Sequence, residues 1–228
     1  MIDIAVLAVF GATTYLVASE GAWGAASTLV AAILSGLVAM NYFEPAAETL
    51  QQSFPAWRDR FDVIAMLGLF AGGVALMRVA VEKIQPTDLP VEGKAYDVVR
   101  WLCGAGTGYV VAAIALTAFH TAPLAPGTLG FHPERDNVFG DAPDRRWLAH
   151  VHHLSETSYR VTDASGRPSL FDGPTFPIVA GGTPETWPTF PIRYASRNRI
   201  NAGVAQPPGS GGLPSAGGRR RQSRTASF

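Results

Sequence analysis

From Ile4 to Phe43 the chain runs for 40 residues with one charged side chain, Glu20. A helix needs about 20 mostly apolar residues to cross the hydrocarbon layer of a membrane. The run is therefore too long for one crossing, and Glu20-Gly21 divides it. The pattern predicts a helical hairpin, with spans over about 3–20 and 22–43. Tyr42 and Phe43 close the second span, where tyrosine favours the interface, and Pro45 is expected to bar easy continuation. An amphiphilic connector over about 44–60 leads to a third span over about 61–82. Its charge-free core is short, and Arg78 and Lys83 extend it by snorkelling to the headgroups. After Pro86 and Pro90, a fourth span is expected over about 98–119, ending at His120 and the Pro123/Pro126 stop.

Soluble buried helices would alternate polar and apolar faces, and these segments have no charged face. A cleaved signal peptide over 1–20 would carry a basic start, which is missing, and a similar apolar segment follows at once. Charged residues make up 16% of the chain, against roughly 25% in ordinary soluble domains. The 18 basic and 18 acidic side chains cancel, so no nucleic acid partner is expected. Cys103 is the sole cysteine, which excludes an intrachain disulfide and a multi-cysteine zinc site.

Residues 1–120 hold 6 basic and 10 acidic residues, and residues 121–228 hold 12 basic and 8 acidic. Of the prolines, 4 lie in the first part and 13 in the second. The expected fold class is thus an all-α integral membrane protein, with four transmembrane helices and a Pro/Gly-rich, largely irregular C-terminal tail. In that tail, Pro143-Asp-Arg-Arg-Trp-Leu opens a helix expected over about 143–160, since proline and aspartate suit the first turn. Trp147, Val151, Leu154 and Ser158 form a modest stripe on it. One reading lays this helix on the membrane, with Trp147 as anchor and Arg145 and Arg146 at the headgroups. The other packs it on the membrane domain or the tail. His150, His152 and His153 do not share one helix face and have no supporting cysteine or HExxH glutamate, so no metal site is expected. No cofactor is expected either. The proline-broken stretch 168–192 is expected to be extended, along a partner or the chain's own helices. Residues 201–228 are Gly/Pro/Ser-rich and read as a disordered basic end. Arg219, Arg220, Arg221 and Arg224 either contact anionic lipid or simply keep that end soluble.

Gly68-Leu-Phe-Ala-Gly72 and Gly104-Ala-Gly-Thr-Gly108 are both GxxxG. Small residues four apart let helix backbones approach closely in lipid, within one chain or between copies. The ionisable groups Asp3, Glu20, Asp62, Arg78, Glu82, Asp97 and Arg100 lie near span ends, which speaks against a charged route through the centre. The polar groups inside the spans are mostly hydroxyls, suited to interhelical hydrogen bonds or to lining a path.

Ile2-Asp3-Ile4 opens directly into an apolar helix, and Ser19-Glu20-Gly21 makes a one-glycine break. A third helix ends in Arg78-Val-Ala-Val-Glu82-Lys83. Gly93 and Asp97 then precede a helix carrying Gly104 and Gly108. In these features the first 120 residues resemble the colicin V production protein family of bacterial inner-membrane proteins. The family commonly has a basic residue at the first break, where this chain has Glu20. The resemblance implies a non-enzymatic, multi-pass protein of the inner membrane. It would support toxin production or secretion, or envelope homeostasis, through membrane or envelope protein partners, and no catalytic residues transfer. A small oligomeric transporter or channel subunit is the alternative, and a homo-oligomer is compatible with both. Basic residues in short loops mark the cytoplasmic side. Lys83, Lys94 and Arg100 against Arg58 and Arg60 put the 83–100 loop inside and both termini outside.

Overall fold

The computed structural model describes residues 1–84, 93–124, 128–131 and 138–162, and beyond them 166, 168–169, 175–177, 184–186, 190 and 194. Five helices account for most of these: α1 (Ile2–Ala18), α2 (Gly21–Ser53), α3 (Phe61–Ile84), α4 (Lys94–Thr121) and α5 (Pro143–Glu156). A 3-10 turn, Pro55–Arg60, joins α2 to α3. By length and composition, α2, α3 and α4 are able to cross a membrane. The fourth expected span, α1, has 17 residues, about 25 Å at 1.5 Å per residue, against a hydrocarbon layer of about 30 Å.

The break between α1 and α2 follows from Gly21, whose φ of +92° lies in the left-handed region that glycine enters freely. The chain reverses there in two residues, and the Tyr96 hydroxyl lies 2.9 Å from where a Cβ would stand. Pro45 does not end the second helix, which continues through it to Ser53. Proline removes one backbone hydrogen bond, but the turns on either side are held by packing. Phe43 and Ala47 are buried in one cluster with Phe61 and Met66, and the Thr49 hydroxyl donates to the Pro45 carbonyl at 2.9 Å. Much of the expected 44–60 connector is therefore helix.

The helices pack in the spatial order α1–α4–α2–α3, with the α2–α4 seam central. Gly104 approaches Thr14 and Ala18 while Gly108 approaches Phe10, so α1 and α4 are antiparallel. Leu29 lies on Gly106, and Ile114 lies by Gly36, so α2 and α4 run parallel. Ser35 covers Gly73 near the middle of the antiparallel α2–α3 pair. The seam is built from small side chains, including Ala32, Ala39, Ala113 and Ala118, and these let the backbones come close.

α5 lies on α2 and α4, with Trp147, Leu148 and Val151 in the main core cluster. Leu148 takes the place on its buried face that the expected stripe gave to Ser158, which is exposed beyond the helix end. The described tail is not purely irregular. Val161–Thr162 (β1) pairs antiparallel with Pro168–Ser169 (β2), and Thr175–Pro177 (β3) with Pro184–Thr186 (β4). Prolines are tolerated because two-stranded pairs consist only of edges. Farther on, Phe190 and Tyr194 are buried against Phe43, which ties the tail to the membrane domain. Residues 201–228, with Arg219, Arg220, Arg221 and Arg224, lie outside the described residues.

Candidate functional site

At the end of the bundle formed by Ala18, Gly21, Arg78 and Lys94, the Glu20 carboxylate accepts from Arg78 and, at 3.4 Å, from the Thr28 hydroxyl. Arg78 also pairs with Glu82 at 3.7 Å. This ties the α1–α2 break to α3. The side chains of Glu20 and Arg78 are about one-third exposed, so water screens the pair. Nearby, Asp97 pairs with Arg100 at 2.8 Å, one turn into α4. Gly93 (φ +71°) begins that helix in open space.

The opposite end holds a more unusual group. Asp144, in the first turn of α5, lies 2.7 Å from His120 Nε2 near the end of α4, and neither side chain is exposed. The rings of Phe131 and Phe190 stand nearly perpendicular to the imidazole, at centroid distances of 5.0 and 6.4 Å. Three residues earlier, Asp141 accepts from the Tyr109 hydroxyl at 3.0 Å and pairs with Arg146 at 2.9 Å. Asp3, at the start of α1, accepts from the Val138 backbone N–H at 3.0 Å. The Tyr194 hydroxyl donates to Glu44 at 3.2 Å. A polar constellation thus joins α1, α4 and α5 beside the apolar seam.

The ionisable groups expected from the sequence are those of the spans themselves, near their ends, and they leave out a carboxylate brought in from the tail. Tyr109 lies 12 residues before the end of α4, about 18 Å along its axis, and that carboxylate reaches it. In the sequence Asp144 has only the role of opening a helix, and Asp141 falls unmarked in the Pro/Gly-rich connector before it. The one local signal was Pro143-Asp144, which marks a helix start but not where that start docks.

The two GxxxG stretches have different surroundings. A Cβ on Gly104 would meet the Thr14 carbonyl oxygen at 2.8 Å, and one on Gly108 the Phe10 carbonyl oxygen at 2.7 Å. Gly68 and Gly72 have nothing within 4 Å. In α3 it is Gly73 that makes the close approach, to Ser35.

Trp147 is not displayed to lipid. It is 6% exposed, and its Cζ2 lies 2.6 Å from where a Gly36 Cβ would stand. Of the two readings for this helix, packing on the membrane domain is the one the structure supports. Arg146 stays on the outer face, with its side chain 66% exposed. Arg145 is half-buried at the docked end of the helix. His150 and His153 are exposed, and His152 pairs with Glu156 at 3.2 Å. Among the described residues, no group of three or more His, Cys, Asp or Glu side chains could hold a metal ion.

A family model described as "Colicin V production protein" matches residues 2–129. The match takes in α1 through α4 and stops before α5. No curated protein and no solved structure matches the chain significantly.

Proposed function

The chain belongs to the colicin V production protein family, and from that premise we propose that it is a non-enzymatic inner-membrane component supporting toxin production or secretion through protein partners. The observation that carries this reading is the extent of the family match, which covers every long apolar helix among the described residues. The small-residue packing of the α2–α4 seam favours a scaffold over a conduit, since Ala and Gly bring the two backbones together there. A role in envelope homeostasis would draw on the same partners. The test is complementation. In a colicin V-producing bacterium lacking its own family member, expression of this chain should restore the zone of growth inhibition around colonies. An unrestored zone, with the protein present in the membrane fraction, would sink the reading.

In this proposal α1 is a fourth crossing. Its 17 residues fall at the short end of the spanning range, roughly 17–25. An even number of crossings puts both termini on one face, and the basic residues around 83–100 favour the non-cytoplasmic one. Alkaline phosphatase fused after Phe228 should be active in intact cells, and a fluorescent protein there should be dark. The reverse pattern would invert the orientation. Anionic headgroups would then neighbour Arg146 and, in the tail, Arg219, Arg220 and Arg221. Gly68 and Gly72, open along α3, are free to meet lipid or another copy of the chain.

A further inference from the structure

We propose that Val138–Glu156 is a strained latch, docked over the α2–α4 seam and able to release as a unit while the helical bundle stays assembled. The first support is the backbone leading into α5. Val138, Phe139 and Ala142 have φ of 57°, 54° and 48°, and Gly140 between them has 87°. The left-handed region disfavours every side-chain-bearing residue, and most of all a β-branched one such as Val138. Such strain persists only where the surroundings over-determine it. Here the surroundings are the Asp3 carboxylate on the Val138 amide and the Tyr109 hydroxyl on Asp141.

The second support is the seat of α5. Its apolar grip is narrow: Trp147, Leu148 and Val151 bear on the seam, with the indole set against the bare backbone of Gly36. The opposite face carries Arg146, Ala149, His150, His153 and Glu156, all exposed. A helix of 14 residues is marginal by itself in water, so α5 keeps its structure only while seated. Release would relax the lead-in, unfold α5 and bare the Gly36 notch. The bundle contacts through Gly104, Gly106 and Gly108 involve no residue of the latch. This inference goes beyond the toxin-production reading and does not depend on it.

The test is amide hydrogen exchange of the full chain in detergent micelles, paired with the thermal midpoint of the bundle. Trp147→Ala empties the Gly36 notch without adding bulk to the α2–α4 seam and should speed exchange across α5 at least about tenfold, leaving the midpoint within a few degrees. Ala142→Gly removes one methyl group and lets the lead-in adopt its positive φ freely. It should slow α5 exchange about threefold. The proposal is overturned if Trp147→Ala leaves α5 exchange unchanged, or if α5 protection and the midpoint collapse together. Faster α5 exchange in Ala142→Gly would equally overturn it, because the lead-in would then hold no strain for release to relax.

Discussion

Replacing Gly108 by leucine is expected to separate α1 from α4 and destabilise the bundle by about 3 kcal/mol. A Cβ at this position would meet the Phe10 carbonyl oxygen at 2.7 Å and the Thr14 hydroxyl at 2.6 Å. A backbone oxygen cannot move aside as a side-chain tip can, so the two helices must part. For a chain of this size each kcal/mol lowers the thermal midpoint by roughly 2–4 °C, so a fall of about 6–12 °C is expected in detergent. Gly72→Leu supplies the contrast. Nothing stands within 4 Å of it, and leucine is the better helix former, so the midpoint should hold or rise slightly. Equal losses from both substitutions would show that the α1–α4 approach is not what these glycines serve. Loss in Gly72→Leu alone, accompanied by a fall in particle mass, would mark α3 as a contact between copies.

His120→Leu is expected to weaken the docking of α5 by roughly 3–5 kcal/mol. The size comes from what is left behind rather than from the bond removed. Asp144 has no exposed surface, and without the imidazole its carboxyl loses the 2.7 Å contact inside a site closed to water. The same reasoning predicts that His120→Leu/Asp144→Leu recovers much of the loss, since an apolar pair of adequate volume needs no partner. Read from the amide protection of α5, the double-mutant cycle should return a coupling of about 2 kcal/mol or more. Additive single losses would mean that the two residues act separately. The 2.7 Å contact would then contribute nothing to docking.

Much of the membrane domain was legible in the sequence, because crossing a bilayer is a local requirement of length and apolarity. The third and fourth spans, expected over about 61–82 and 98–119, correspond to Phe61–Ile84 and Lys94–Thr121. Gly21 was legible as a break for the same local reason, its backbone conformation. Pro45 was misread because its cost to the helix is local, while the compensation comes from Phe43 and Ala47 packing on α3 residues remote in sequence. The candidate site was scarcely legible. Asp3 was noted as a motif position, but its partner is the Val138 amide, 135 residues away.

The sequence by itself determined that the chain forms long apolar helices, where they divide, and that a separate helix begins at Pro143. Each is set by residues adjacent in the chain, through hydropathy, glycine freedom or proline geometry. Only the tertiary structure decided which GxxxG stretch has a neighbour, and that Trp147 faces Gly36 rather than lipid. It also decided that His120 and Asp144 share one buried site. The two GxxxG stretches follow the same pattern, and Trp147 has the same amphipathic character in either place. What separates the outcomes is the spatial order of the helices, α1–α4–α2–α3. That order depends on which backbones can approach most closely, and this is a property of pairs of surfaces that no single stretch of sequence contains.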